Sequence, residues 1–162
     1  MSNVRFATRE DIPEIIQLVK DLAAYEKEPA STVKNTVETL TEQLFCNQPA
    51  LYAYVLESDS NEYRIDGFAI WFLNYSTWEG SHGIYLEDLY IRPEMRGTGG
   101  GRALLKKLAQ TAKERGYKRI DWVVLDWNKK ARNFYENIGA KDQSQWVGYR
   151  LEEEGIQKLA TE

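Results

Sequence analysis

The sequence predicts one α/β domain over residues 1–162, with a mixed central sheet flanked by helices. Its length suits a single domain that buries a sizeable core. Helical and strand patterns alternate without a linker, repeat or low-complexity tract between them. Strand patterns are adjacent in the first half and separated by helices in the second. This order favours antiparallel pairing early in the sheet and parallel pairing in its middle.

The first part of the chain has the apolar spacing of two helices. Thr8 followed three residues later by Asp11 is typical of a capping box, and the apolar residues behind it predict a helix over 11–25. The same kind of spacing from Val37 predicts a second, shorter helix that ends near Phe45.

Three strand patterns follow. The stretch "ALYAYVLE" (50–57) is separated by a polar turn (58–64) from "IDGFAIWFLN" (65–74), and "GIYLEDLYI" (83–91) comes next. All three are rich in the aromatic and β-branched residues that strands favour.

The rest of the chain alternates helix and strand. After four glycines within 97–101, regularly spaced leucines predict a helix that ends at Gly116. The stretch "RIDWVVLDW" (119–127) is a nearly continuous apolar strand, as a sheet covered on both faces requires. A helix over 129–139 and a closing strand over 145–151 complete the predicted elements.

Composition and charge narrow the class of protein. With 43% hydrophobic and 28% charged residues, the chain has a globular composition. No apolar run approaches the roughly 20 residues of a membrane span, so we expect no membrane partner. A net charge of -4 argues against nucleic acid as a partner. Because Cys46 is the only cysteine and His82 the only histidine, we expect neither a disulfide nor a metal site, as in a cytoplasmic protein.

The glycine-rich stretch "EMRGTGGGRALLKK" (94–107) lies between a predicted strand and a predicted helix. Free N–H groups at a helix start and the helix dipole favour a bound phosphate, and glycines let it approach the backbone. The P-loop motif fails because Arg102 stands where it needs lysine, and both dinucleotide-binding registers lack their third glycine. Glycines alone are also compatible with a flexible loop before a helix.

An arginine followed by glycines at alternate positions resembles the pyrophosphate loop of the GNAT superfamily of N-acetyltransferases. The stretches 22–28, 85–101 and 124–142 resemble the diamine acetyltransferase branch, in the same order and at similar spacing. That branch includes spermidine/spermine N1-acetyltransferase and thialysine-acetylating relatives, and "YSTWEG" and "VLDWN" are most similar to the thialysine type.

The resemblance implies a GNAT fold, acetyl-CoA as co-substrate, and acetyl transfer to a primary amine of a small diamine or lysine analogue. The amine would attack directly in a ternary complex, because Cys46 lies outside the motifs and an acetyl-cysteine intermediate is not expected. Relatives are homodimers, so a homodimer is expected on the resemblance. Two alternatives stay open: a protein N-terminal acetyltransferase, and a coenzyme A-binding regulatory protein without catalysis.

The resemblance also implies site residues. Cofactor contacts would come from the backbone of Leu89, Tyr90 and Ile91, from the loop residues Arg96, Gly97, Thr98, Gly99, Gly100, Gly101 and Arg102, and from Asn128 and Tyr135. The amine would meet Tyr25, Glu26, Glu87, Asp88, Asp121 and Trp122.

Two of these residues would act in catalysis. The resemblance makes Tyr135 the general acid for the departing thiolate, although its position is also compatible with packing on one face of the helix. It makes Glu87 the residue that faces the amine, although a solvated charge is the ordinary alternative. Asp88 would otherwise bond a nearby backbone group. Neighbours on a regular strand point to opposite faces, so Glu87 and Asp88 form a pair only if a bulge intervenes.

One departure concerns the length of the substrate. Relatives carry Glu-Glu-Gly-Trp on the late strand, where the second glutamate touches polyamine, but this chain has Val147 there. The loss of that carboxylate favours a shorter amine or an amino-acid-like substrate over spermine.

Overall fold

The structure, a computed structural model, describes residues 3–162. The chain divides into two compact units, one that ends at Val123 and one of Val124–Glu162. The first unit contains strands β1 (Val4–Phe6), β2 (Tyr52–Glu57), β3 (Ile65–Ser76), β4 (Ser81–Ile91) and β5 (Ile120–Asp121), and helices α1 (Ile12–Tyr25), α2 (Val37–Phe45) and α3 (Gly100–Arg115). The second unit contains helices α4 (Lys129–Asn137) and α5 (Glu153–Ala160).

The five strands form one sheet in the order β1-β2-β3-β4-β5. Pairing is antiparallel from β1 to β4 and parallel between β4 and β5. This arrangement confirms the predicted mixed α/β fold and the early antiparallel pairing. The parallel pairing predicted for the middle of the sheet lies instead at its edge, between β4 and β5. Among the described helices, none is both long and apolar enough to cross a bilayer.

Helices cover both faces of the sheet in the first unit. Ile12, Ile15 and Leu18 of α1 are fully buried in a cluster that also contains Phe68 and Tyr90 of the sheet. Each fully buried side chain of this kind contributes about 1.5–3 kcal/mol to the free energy of unfolding.

The opposite face packs against α3. Leu104 and Leu108 of this helix are fully buried. The hydroxyls of Tyr54 and Thr111 share a hydrogen bond of 2.7 Å between sheet and helix. The Arg115 guanidinium lies 5.8 Å from the ring centroid of Trp71. β4 therefore lies in a sheet held from both sides.

A buried carboxylate ties the start of α1 to the sheet. Asp11 is fully buried and accepts hydrogen bonds from Arg5 at 2.7 and 3.1 Å. The Thr8 amide donates to it at 2.8 Å, and Arg64 donates at 3.2 Å. Burial alone would raise the pKa of Asp11, but these hydrogen bonds outweigh burial and lower it from 3.8 to about 2.

Asp11→Asn is expected to lower the free energy of unfolding by about 2 kcal/mol at neutral pH, because it removes the charge that these donors face. The pKa is lower in the folded protein than in the unfolded chain, so the contribution is present above about pH 4 and is lost as the pH falls through about 2. Urea unfolding at several pH values measures the contribution of Asp11 to the free energy of unfolding. Asp59→Asn in the exposed β2–β3 turn is the control; an equal cost for both substitutions would contradict the prediction.

The predicted strands after α3 are the main correction to the sequence analysis. The strand expected over 119–127 is only Ile120–Asp121, and residues 145–151 form no strand among the described residues. Val123 is 79% exposed rather than buried on both faces. A strand needs a hydrogen-bonded partner as well as apolar side chains, and β5 is the edge of the sheet, paired with β4 alone. β1 and α5 were not predicted.

Candidate functional site

The glycine loop connects β4 to α3, as the sequence predicts. Gly97 and Gly99 have φ of +80° and +91°, in the left-handed region that strains other residues. Gly100 lies close to the sheet: a Cβ there would lie 2.6 Å from Leu56 Cδ2, so the Leu56 side chain would have to shift. The first helical turn of α3 thus lies directly against the sheet.

The α3 N-terminus has the features of an anion site. Its first helical bond runs from the Ala103 amide to the Gly99 carbonyl at 2.9 Å, so the three preceding helical N–H groups have no acceptor within the helix. Within the described residues no side chain caps α3, and the Thr98 hydroxyl donates instead to the Met95 carbonyl at 2.7 Å. A Cβ on Gly101 would have Leu89 Cδ2 as its nearest neighbour, at 3.9 Å. The start of α3 is therefore open to a phosphate group.

β4 separates from its parallel neighbour before it reaches the loop. Its pairing with β5 covers only Ile84 with Ile120 and Tyr85 with Asp121, while its pairing with β3 continues to Ile91. Among the described strands, none pairs with the other edge of β4 after Tyr85. The backbone edge between this point and the glycine loop is therefore available for hydrogen bonding to a ligand.

A β-bulge interrupts β4 at Glu87. Ile70 of β3 lies opposite Asp88, whereas the next residue, Trp71, lies opposite Leu86, so Glu87 is the extra residue. The regular alternation that would place Glu87 and Asp88 on opposite faces therefore fails here. The two carboxylates are close enough for the charge of Glu87 to raise the pKa of Asp88.

Three carboxylates meet where α1 ends beside the bulge. Burial, reinforced by the negative charges of Glu87 and Glu26, raises the pKa of Asp88 to about 6. Burial also raises the pKa of Glu26, the residue that follows α1. Tyr25 is the last residue of that helix. The structure thus brings together the predicted substrate residues of α1 and β4.

A fourth carboxylate, that of Asp121, lies on β5 opposite Tyr85 of β4. Asp121 accepts a hydrogen bond from the Asn74 side chain at 3.2 Å. Burial raises the pKa of Tyr85, and the charges of Glu87 and Asp121 raise it further. We call Glu26, Asp88, Glu87 and Asp121 the acidic strip.

Two residues beside the acidic strip were missed by the sequence analysis. Asn74 is a polar residue near the end of a mostly apolar strand, which was a usable signal, and Tyr85 lies within the quoted strand pattern. Trp122, which follows Asp121, is partly buried. A surface with this many carboxylates suits a ligand with more than one ammonium group.

Arg96 lies between the loop and the end of α1. Its Nε donates to the Ile91 carbonyl at 3.0 Å. Its guanidinium carbon lies 4.9 Å from the ring centroid of Tyr25 and 5.0 Å from that of Tyr90. The side chain of this predicted cofactor residue therefore stacks on the α1 face of the sheet.

The second unit carries the remaining predicted residues on α4. Asn128 is the N-cap of this helix, and its side-chain oxygen accepts from the Ala131 amide at 3.3 Å. Tyr135 lies two turns later, partly buried, with its ring 5.7 Å from that of Phe134. Val147, in the segment without strand structure, is 74% exposed.

Comparison with known proteins places the chain in a family. The model described as the Acetyltransferase (GNAT) family matches residues 17–140, so the chain belongs to the GNAT acetyltransferase family. It is 34% identical to the thialysine N-epsilon-acetyltransferase of Mus musculus, with 98% of this chain and 97% of the relative covered. It is 36% identical to the Bos taurus protein of the same name, with 97% and 96% covered.

A solved structure agrees on the fold. An integron cassette protein from the mobile metagenome of V. cholerae superposes with a TM-score of 0.79 at 23% identity, over 99% of this chain and 98% of its own. The comparisons confirm the predicted family and fold, and the chain is an N-acetyltransferase. Enzymes of this family generally use acetyl-CoA as the acetyl donor.

Proposed function

We propose that this enzyme transfers the acetyl group of acetyl-CoA to a primary amine of a small diamine or lysine analogue such as thialysine. One observation carries the proposal. The acidic strip and the open N-terminus of α3 lie on either side of one short length of backbone, the end of β4 that has left β5. An amine held by the strip and a pyrophosphate held by the loop would therefore meet along residues 89–91.

The proposed substrate class follows from the charge of the strip. A carboxylate that accepts a hydrogen bond from an ammonium group contributes about 1.5–3 kcal/mol when the pair is shielded from water. Glu26 follows α1, Glu87 and Asp88 lie at the bulge of β4, and Asp121 lies on β5. Carboxylates on three elements suit an amine whose second cationic group is separated from the reacting one, as in a diamine or a lysine analogue. The relatives named for thialysine support the same class.

The proposed reaction is a direct attack in a ternary complex. The amine nitrogen forms the new N–C bond, the C–S bond of the thioester breaks, and the amine proton passes to a carboxylate of the strip. Glu87, the exposed residue of the bulge, faces the amine. Asp88 is suited to hold the proton, because a pKa of about 6 keeps it ionised at neutral pH and still basic.

The remaining steps involve backbone groups and one phenol. Backbone N–H groups at Leu89, Tyr90 and Ile91 would stabilise the oxyanion of the tetrahedral intermediate. The departing thiolate would take a proton from Tyr135, since a phenol with an ordinary pKa of about 10 is protonated at neutral pH. On the resemblance, Asn128 contacts the cofactor and Trp122 the amine.

We also propose that the enzyme acts in the cytoplasm as a homodimer of one-domain subunits. The exposed thiol of Cys46 supports a reducing compartment. The homodimer rests on the resemblance to the diamine acetyltransferases.

Steady-state acetylation of thialysine, lysine, putrescine, spermidine and spermine tests the proposed function. We expect the highest kcat/KM for the short substrates. A peptide substrate that outcompetes every small amine would instead favour an N-terminal acetyltransferase. Coenzyme A binding without turnover of any amine would favour a regulatory protein.

The pH dependence of kcat/KM should follow Asp88. We expect the rate to rise with pH through about 6, because the carboxylate must be ionised to accept a proton. Asp88→Asn should lower the rate at neutral pH by about tenfold, with Glu87 as a partial substitute, and should remove the acid limb of the profile. Asp121→Asn is the matched control and should keep that limb. An unchanged acid limb in Asp88→Asn would exclude Asp88 as the titrating group.

Val147→Glu restores the carboxylate that polyamine-acetylating relatives carry. We expect kcat/KM for spermidine and spermine to rise several-fold, because the new carboxylate adds a charged contact to an ammonium group of the polyamine. The kcat/KM for a short amine should stay within twofold. Val147→Gln is the control for size and polarity without charge. Equal effects on long and short amines would show that residue 147 does not face the distal end of the substrate.

A further inference from the structure

Arg96 joins three elements of the first unit. Its guanidinium lies within the 6 Å range of cation–π attraction from two rings, Tyr25 at the end of α1 and Tyr90 on β4. Its Nε donates to the carbonyl of Ile91, the last residue of β4. We call these three side chains, Arg96, Tyr25 and Tyr90, the arginine–tyrosine cluster.

The cluster connects the two halves of the site. In the sequence, Arg96 directly precedes Gly97, the first left-handed residue of the loop. Tyr25 directly precedes Glu26, whose negative charge raises the pKa of Asp88. A short chain of contacts therefore runs from the glycine loop, through two stacked side chains, to the acidic strip.

We infer that Arg96 is a positioning residue that couples the two ligands, an inference that rests on the proposed function. A pyrophosphate held at the start of α3 fixes the loop and with it the Arg96 side chain. Arg96 in turn holds the end of α1, so that Glu26 is in place when the amine arrives. The amine therefore binds more tightly to the enzyme that already holds coenzyme A, and by thermodynamic linkage coenzyme A binds more tightly in the presence of the amine.

The chemistry of the cluster requires arginine. A planar guanidinium can lie against two ring faces and still donate from Nε, whereas the point charge of lysine cannot make all three contacts at once. The ring face is the required feature of Tyr25 in this role, so phenylalanine should replace it and an aliphatic residue should not.

The experiment measures the dissociation constant of thialysine by calorimetry, with and without saturating coenzyme A, which carries no acetyl group and prevents turnover. We expect the wild-type ratio of the two constants to fall at the lower end of the roughly 5–150-fold range of known couplings. Tyr25→Leu should bring the ratio close to one, and Tyr25→Phe should keep it. Tyr63→Leu is the matched control, because the Tyr63 ring carries Arg92 at 3.6 Å in the same unit but outside the site, and it should keep the ratio.

Arg96→Lys gives a second measurement if thialysine binding to Tyr25→Leu is too weak to quantify. We expect its ratio to fall close to one while its melting temperature stays near that of the wild type. A wild-type ratio of one, or a full ratio in Tyr25→Leu or Arg96→Lys, would overturn the inference. Wild-type enzyme that binds no coenzyme A would instead overturn the proposed function, so the two failures are distinguishable.

Discussion

Gly101→Val is expected to weaken coenzyme A binding by about 100-fold or more, equivalent to about 2.7 kcal/mol, while the fold survives. The new side chain would occupy the space beside the first N–H groups of α3, where the phosphates must approach. The backbone of Gly101 is helical, and its Cβ would find only Leu89 within 4 Å. Valine is no worse than glycine inside a helix, so stability should be retained.

Further substitutions at Gly101 and at the other glycines of the loop provide the controls for this result. Gly101→Ala should reduce affinity less, because it adds only one methyl group. Gly100→Val should behave differently, since its Cβ collides with Leu56 and the melting temperature should fall. Gly99→Val is less informative because its φ of +91° adds strain to any change in binding. Unchanged calorimetric affinity in folded Gly101→Val would exclude the phosphate site.

Tyr135→Phe is expected to lower kcat and kcat/KM together, by roughly 10²–10⁴-fold for a positioned proton donor. The substitution keeps the ring and removes only the hydroxyl that would protonate the thiolate. Coenzyme A thiolate is already a fair leaving group, so we expect the lower end of that range. Affinity for coenzyme A should change far less, because the proposed phosphate site is the glycine loop and not α4.

The melting temperature separates the two roles of Tyr135. The residue is partly buried on α4 beside Phe134, as a packing residue would be. A packing role predicts lost stability with near-normal turnover, and a catalytic role predicts the reverse. Phe134→Leu serves as the packing control on the same helix. A Tyr135→Phe enzyme that melts early but acetylates at full rate would remove the general acid from the proposed mechanism.

Local signals in the sequence predicted the helices of the first unit well. The bounds of α2 and the end of α3 at Gly116 agree with the structure, because apolar periodicity and a left-handed C-terminal glycine are encoded within a few residues. The glycine loop was also predicted, because its signal, four glycines between a strand and a helix, lies within a few consecutive residues. Strands are defined by partners that are distant in sequence, so β5 and the segment 145–151 could not be predicted from their apolar content alone.

The candidate site was predicted as a set of residues, but their arrangement was not. Glu26, Glu87 and Asp88 were named from the resemblance, whereas the bulge that brings the last two together has no sequence signal. The stacking of Arg96 on Tyr25 depends on where α1 ends relative to β4, which is a property of the folded sheet. Tertiary packing determined these features.

The bulge at Glu87 also fixes which side chains of β4 lie on each face of the sheet. Leu86 lies opposite Trp71 and Asp88 opposite Ile70, so these two residues lie on opposite faces although they are two positions apart in the sequence. In a regular strand of the same sequence they would share one face. Loss of position 87 would therefore leave the other side chains of β4 on their present faces and remove only one carboxylate. Straightening of the strand with residue 87 retained would instead rotate half of a central strand onto the wrong face.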